Sequence, residues 1–279
     1  MFSVLIAEAM ESGNLCAIEY NENMCSNCPA SGGGSMTDRR SKIDKKIEKV
    51  KMCFEKDVDR YKSILEKKSS QHYLKKRKKF LEEFSGNTGQ NKIIVDLAAG
   101  MGIYLNSQSN YRYFINLDLS FNELKEITTD NNNVLKINAN ALNIPLKNSS
   151  VDCIIIIGLL HHIPFCFPEL FQEIVRVLKN DGSVFIDEPN GYHLLWFIFM
   201  KLYEIDKVRT RPPFPYILKR FAKKYSLQVE KEVFWGFVPP FDNKFVMYIF
   251  NKIEAVIENS FLSFLCTRYL LILKNRISI

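Results

Sequence analysis

The segment Lys92–Gly102, reading Lys-Ile-Ile-Val-Asp-Leu-Ala-Ala-Gly-Met-Gly, constrains the fold more than any other stretch. A β-branched run, Ile93 to Val95, ends at Asp96, and two glycines at alternate positions, Gly100 and Gly102, follow at once. An apolar run bounded by glycine reads as a parallel strand buried on both faces. Glycines just past such a strand allow positive φ and let a ligand approach the backbone closely. A tight β-to-α turn with no ligand would use the same residues, because glycine punctuates loops generally. What decides between the two lies downstream, at fixed distances.

From Lys92 onward strands alternate with helices, the pattern of an α/β domain with a mostly parallel sheet. Strands are expected at Ile93–Leu97, Tyr113–Leu119, Val134–Asn138, Cys153–Ile157 and Ser183–Asp187. A helix is expected from Phe121 and another over Pro168–Leu178, the latter stopped by Asn180-Asp181-Gly182. Val229–Phe234 and Thr267–Leu273 supply a sixth and a seventh strand.

The stretch before Lys92 has a different character. Residues 1–37, with Pro29-Ala30-Ser31 and Gly32 to Gly34, have the composition of a disordered extension. Cys25-x-x-Cys28 within it is half of a zinc site at most, and no metal is expected. Residues 38–85 form a basic helical segment. Between Arg39 and Lys79 there are 17 Lys or Arg against six acids, a net +11, whereas the whole chain is +7. Such asymmetry suits an anionic partner, either nucleic acid or an acidic lipid surface. The plainer reading is a solvated face of amphipathic helices, with Ile43, Ile47, Val50, Phe54, Val58, Tyr61 and Leu65 turned inward at helical spacing. Residues 86–279 are then the α/β domain. Seven scattered cysteines fit reduced thiols in a cytosol. No apolar run is long and uninterrupted enough for a transmembrane helix: Leu194 to Met200 is too short, and charges break Phe245 to Leu273.

Asp118 stands 22 positions after Asp96, at the end of the second strand. An acid about 20 residues past a glycine turn accepts hydrogen bonds from ribose hydroxyls in nucleotide-binding α/β domains. Asn140-Ala141-Leu142-Asn143-Ile144-Pro145 follows the third strand, and Ser150-Val151-Asp152 opens the fourth. Leu160-His161-His162 and Arg176-Val177-Leu178-Lys179-Asn180-Asp181-Gly182 come next. Over about residues 92–190 this succession resembles the class I S-adenosylmethionine-dependent methyltransferases, in particular the group acting on small molecules and lipids. The resemblance implies a doubly wound, Rossmann-like sheet of seven strands with one antiparallel strand, and S-adenosylmethionine as cofactor. It implies that Asp96 organises the glycine turn and that Gly100 and Gly102 make room for the methionine portion. Asp118 would hold the ribose, Asn140 and Ala141 would meet the adenine, and Gly158 and Leu159 would border the sulfonium. Two positions depart from the family pattern. Ala98 replaces its first glycine, which is tolerable if φ stays negative. Asn140 replaces its aspartate and keeps an acceptor oxygen.

Methyl transfer to oxygen needs a base, and His161 or His162 is suited to that near neutral pH, His162 slightly ahead. The resemblance therefore leads to a cytoplasmic methyltransferase, membrane-peripheral if its acceptor is amphiphilic, acting on a small-molecule, lipid-like or glycan-precursor acceptor at O or C. Basic helices and apolar C-terminal loops would suit contact with an anionic membrane. Two other readings stand beside it. One is an RNA or other nucleic-acid methyltransferase using the basic segment, although Gly158-Leu159-Leu160-His161 lacks the Asn/Asp-Pro-Pro-aromatic sequence of base-amine methylators. The other is a non-catalytic binding protein that has kept the fold.

Overall fold

The computed structural model describes residues 18–19, 35–88, 91–105, 111–193, 211–238 and 243–276. The apolar stretch at 194–200 and Cys25-x-x-Cys28 lie outside them.

Eight strands form one sheet: β1 (Ile18–Glu19), β2 (Lys92–Leu97), β3 (Tyr111–Asp118), β4 (Val134–Asn138), β5 (Val151–Ile157), β6 (Leu178–Pro189), β7 (Leu227–Trp235) and β8 (Arg268–Asn275). Their spatial order is β1-β4-β3-β2-β5-β6-β8-β7. The two residues of β1 add an edge to the seven expected strands and pair parallel with β4. Pairing is parallel through β6, and β8 inserts antiparallel between β6 and β7. The strand order reverses between β2 and β5, which lie parallel at the sheet centre: β3 and β4 are added on one side, and β6 and the strands after it on the other. A crevice opens at the carboxyl ends of strands at such a switch point, and ligands of open α/β sheets bind there.

Successive residues of the central strands feed opposite layers. Val95, Leu97, Ile154, Ile156, Val184 and Ile186 pack into one core. Ile94, Phe114, Cys153, Ile155 and Phe185 pack into the other. Both faces are covered, which is why the strands read as continuous apolar runs rather than alternating ones.

Helices α1 (Ser35–Lys56), α2 (Val58–Leu65) and α3 (Lys68–Thr88) precede β2. Ile47 and Val50 anchor α1 by burial, each worth about 1.5–3 kcal/mol. Helix α2 has no buried residue, so Val58, Tyr61 and Leu65 reach only half-burial. Leu81 and Phe84 seat α3 on the sheet. Helix α4 (Phe121–Lys125) follows β3, and its N-cap Ser120 accepts the Glu123 amide. Helix α5 (Phe167–Val177) ends one residue earlier than expected, because Leu178 is already extended and begins β6. The polar Asn180-Asp181-Gly182 lies inside β6 as an irregularity, with Asp181 at φ 60°, and does not act as the helix stop. Helices α6 (Pro215–Lys224) and α7 (Lys244–Glu258) flank β7.

Candidate active site

A cavity of about 340 Å³ opens at the carboxyl ends of β2, β3, β5 and β6, beneath α1 and α2. Asp96, Ala98, Gly100, Asp118, Asn140, Ala141, Gly158, Leu159, His161 and His162 all line it, so the sequence-derived residues converge on one space. Gly102 stands just behind the lining, where an added Cβ would come within 2.9 Å of Ile127.

Left-handed backbone shapes the floor. Gly100, Gly102 and Gly158 have φ of 54°, 66° and 73°. Ala98 has φ 67°, so the negative φ under which an alanine is easily tolerated there is not met. The cause is local pairing: the Ala98 and Ala99 amides both donate to the Leu117 carbonyl, at 2.8 and 3.1 Å, which turns the chain sharply at the end of β2. A left-handed conformation costs a residue with a Cβ about 1–2 kcal/mol.

One end of the cavity is acidic. Asp118 accepts the Gly100 amide at 2.8 Å and the Ser120 amide at 2.7 Å, which ties the glycine turn to the end of β3. Asp96 is buried, and its Oδ2 has no hydrogen-bond partner. Burial, with Asp118 nearby, pushes its carboxyl up to about 7. Burial, then Asp118 and Glu55, raise Glu123 to about 8. A crowd of desolvated carboxylates with an orphaned oxygen is suited to a cationic, hydroxyl-rich ligand. Asn140 uses its Oδ1 to accept the Leu142 amide at 2.9 Å, so its amide N–H groups remain for a ligand.

The histidines occupy different environments. Glu188, fully buried at the end of β6, accepts the Leu160 amide at 2.7 Å and pairs with His161 Nδ1 at 2.7 Å. The Arg211 amide donates to the His161 carbonyl at 3.0 Å, fixing the loop from the other side. His162 packs edge-on against Phe54 of α1 with ring centroids 5.0 Å apart. Its Nδ1 is buried without a partner. Burial, then the neighbouring His161, hold His162 well below the usual histidine range. Histidine 161 thus has a carboxylate to set its tautomer, and His162 does not.

The same lining holds two arginines, Arg77 and Arg268, whose place in the site was not legible in the sequence. Asp187, fully buried, accepts from Arg77 Nε, from Arg268 Nη2 at 3.0 Å and from Trp235 Nε1 at 3.2 Å. Arg77 also donates to the Tyr104 hydroxyl. Trp235 is a core residue, 1% exposed. Glu188 had a visible signal, the acid pair Asp187-Glu188 at a strand end facing the crevice. Arg77 had none, since lysines surround it at 75, 76, 78 and 79.

These features define a class: an α/β domain with a nucleotide-type cradle at the switch point of a seven-strand sheet carrying one extra edge. Residues 95–186 match the family described as "Methyltransferase domain". That match takes in about a third of the chain, and over it the chain is similar to methyltransferase domains. Two proteins of Methanocaldococcus jannaschii, both described as uncharacterized, are similar to it. One is 30% identical over 103 residues, covering 37% of this chain and 43% of that protein. The other is 32% identical over 106 residues, covering 38% and 40%. The match spans less than half the length of these relatives. Among solved structures, a SAM-dependent methyltransferase from Archaeoglobus fulgidus superposes with TM-score 0.53 at 19% identity, covering 72% of this chain and 94% of the other. Magnesium protoporphyrin IX methyltransferase from Synechocystis, with bound SAH, gives 0.58 at 11% identity, covering 83% and 100%. At these identities the structural likeness concerns the fold.

The residues present fit S-adenosylmethionine. The cofactor carries a sulfonium, an amino group, a carboxylate and a vicinal diol; the cavity offers Asp118, the orphaned Asp96 oxygen and a left-handed backbone cradle for the first, second and last of these, and Arg77 and Arg268 line the same space for the carboxylate. No group of three or more His, Cys, Asp or Glu among the described residues is arranged to hold a metal.

Proposed function

We propose that the protein transfers a methyl group from S-adenosylmethionine to an oxygen of a small-molecule or lipid-like acceptor. The observation that carries this reading is the His161–Glu188 pair at 2.7 Å on the cavity wall beside Gly158. The cofactor supplies an activated methyl group for direct displacement. The chain's own work is to align the acceptor, exclude water and receive a proton.

Asp118 and Asp96 hold the cofactor's polar groups, and Gly100 and Gly102 leave room along the turn. Glu188 holds a proton on His161 Nδ1, which leaves Nε2 unprotonated as the acceptor for the hydroxyl proton. His162, kept neutral by burial, packs behind it against Phe54 and contributes shape. Helices α1 and α2 roof the cavity through Val50, Phe54, Tyr61 and Ile64 and so keep water out.

A lipid-like acceptor is supported by the outer face of α7, where Phe245, Tyr248, Ile249 and Val256 are exposed together with Phe261 beyond it. Lys244 and Lys252 stand among them. Apolar side chains interleaved with lysine suit the headgroup boundary of an anionic membrane. No described helix is long and apolar enough to cross one. The nucleic-acid reading loses some of its support, because part of the basic segment is internally paired. Arg77 is buried on Asp187, Lys76 bridges Glu254 and Glu258, and Lys62 meets Glu126 at 2.6 Å.

The deciding experiment incubates the purified protein and tritiated S-adenosylmethionine with fractionated cell extract. Label entering the lipid or small-molecule fraction, and lost in His161→Gln, supports the proposal. Label confined to RNA would replace it with the nucleic-acid reading, and no label anywhere would favour a binding protein.

A further inference from the structure

Large apolar side chains are exposed unevenly over this protein. Thirteen stand out to solvent among the described residues, and only Val229, at the start of β7, lies toward the amino ends of the parallel strands. Met52 is on α1, in the roof of the cavity. The other eleven sit in segments attached to the carboxyl end of the sheet, where the cavity opens. Tyr192 follows β6 and packs on Phe214 with ring centroids 5.7 Å apart, and Phe214 stacks on Tyr216. The remaining eight lie on α7 and on a short 3-10 helix, Phe261–Leu265, between the end of β7 and the start of β8. Trp235 pairs with Arg268, and Arg268 with Pro189, so this connection leaves and rejoins the sheet at the cavity end.

Helix α7 is turned inside out. The only residue it buries is an acid, Glu254. Glu254 accepts the Phe237 amide at 2.6 Å and pairs with His72 and Lys76, while Glu258 accepts the Gly236 amide at 2.6 Å and pairs with Lys76. Polar attachments therefore hold the helix down, and its apolar side chains point away from the protein, the reverse of an ordinary surface helix. Phe245 is 71% exposed, and Phe261 just beyond the helix is 87% exposed. Both acids of α7 are used on the inner side, so the charges left on the outer side are the exposed Lys244 and Lys252.

We propose that this face, α7 with Phe261–Leu265, docks the protein on an anionic lipid bilayer, cavity end toward the membrane. A contiguous exposed apolar patch marks an interaction surface. Aromatic rings beside lysines suit the headgroup boundary, where the rings enter the acyl region and the ammonium groups meet anionic lipid. A second copy fits less well, because a two-fold contact sets the same patch on both sides and would oppose lysines to lysines with no acid between them. Docking itself needs no methyl transfer. What it adds, resting on the methyltransferase reading above, is the route of the acceptor, which reaches the cavity from the lipid phase.

Co-sedimentation of the full chain with phosphatidylcholine vesicles, with and without phosphatidylserine, tests the surface. Binding is expected on the anionic vesicles, about tenfold weaker without phosphatidylserine and weakened by added salt. Phe245→Glu with Phe261→Glu should weaken it tenfold or more, and Lys244→Glu with Lys252→Glu should do likewise. Val229→Glu, an equally exposed site at the other end of the sheet, should bind as the parent does. The surface is overturned if anionic vesicles are not bound, if neither double variant differs from the parent, or if Val229→Glu weakens binding as much as they do. It is also overturned if the phenylalanine variant melts well below the parent, since the face would then be packed within the free chain. A parent dimer that this variant dissociates would replace the membrane with a second copy. S-adenosylhomocysteine binding, read by calorimetry, should be unchanged within twofold in every variant. Its absence in the parent would remove the methyltransferase reading and leave the docking surface standing, so the two failures are distinct.

Discussion

Glu188 Oε2 lies 2.7 Å from His161 Nδ1, and the same carboxylate takes the Leu160 amide. The loop after β5 and the end of β6 are thereby locked to one another through a histidine that faces the cavity. If this pair takes the acceptor proton, Glu188→Gln should lower kcat about 10²-fold, because the neutral amide no longer fixes the tautomer or steadies a protonated ring. His161→Gln should lower it by at least as much. Cofactor affinity measured by calorimetry should stay within about threefold in both variants, whereas His162→Gln should retain most activity. A fully active His161→Gln protein would remove His161 from the chemistry.

Linkage gives a second prediction. Burial raises Asp96 to about 7 and Glu123 to about 8. An acid whose folded pKa lies above its unfolded value binds more protons when folded, so its contribution to stability falls as pH rises between the two values. Each such group contributes a slope of up to about 1.4 kcal/mol per pH unit. His162 and His193, lowered by burial, act in the opposite sense below about pH 6.5. The diagnostic is therefore the difference between the parent and Glu123→Gln in urea unfolding from pH 5 to pH 8. The variant should gain on the parent steadily as pH rises. A constant difference would mean that Glu123 is ionised throughout.

How much of this was legible depended on the physics behind each residue. Ile154 to Ile157 announced β5 because a strand covered on both faces needs apolar residues at every position. Asp118 was visible through its spacing past the glycine turn, which the strand–helix unit imposes on the sequence, whereas Asn140 was singled out by the family resemblance. Arg77 was hidden, since its burial results from docking α3 beside β6, and nothing in a run of lysines marks the one arginine that turns inward. The Glu188–His161 pair joins positions 27 residues apart through the adjacency of β5 and β6. The condition under which an alanine is tolerated at 98, a negative φ, is not met, because two amides converging on the Leu117 carbonyl enforce the opposite sign.

Ala98 should therefore accept glycine with profit. Relief of a left-handed alanine is worth about 1–2 kcal/mol, against about 0.5–1 kcal/mol of added backbone entropy for glycine. Ala98→Gly is expected to stabilise the protein by roughly 0.5–1 kcal/mol in denaturant unfolding. A loss of stability would show that the alanine methyl makes packing contacts that outweigh its backbone strain.

Gly102 should behave in the opposite way. Its φ is 66°, and an added Cβ would meet Ile127 Cδ1 and Cγ1 at 2.9 Å. Gly102→Ala adds overpacking of about 1–3 kcal/mol to the backbone cost. Pairing it with Ile127→Ala should recover the steric part and leave about 1–2 kcal/mol of strain. Full recovery in the double variant would mean that sterics alone reserve the position for glycine.

The roof over the cavity yields the last prediction. Glu55, on α1, accepts the Phe121 amide at 2.8 Å and the Asn122 amide at 3.3 Å, while Asn122 Nδ2 donates back to the Glu55 carbonyl at 3.0 Å. One side chain thus caps α4 and fastens α1 to the Asp118 end of the site. Helix α2 buries none of its own residues, so this attachment and the Ile47–Val50 anchor hold the roof in place. Such a lightly packed element should open locally far more often than the sheet beneath it. Hydrogen exchange across residues 47–65 should accordingly be fast in the free protein and slowed by S-adenosylhomocysteine, with β5 unchanged. Glu55→Ala, which removes a cap worth about 1 kcal/mol, should speed that exchange and weaken S-adenosylhomocysteine severalfold. Equal exchange with and without the ligand would mean that α1 and α2 do not close over the cofactor.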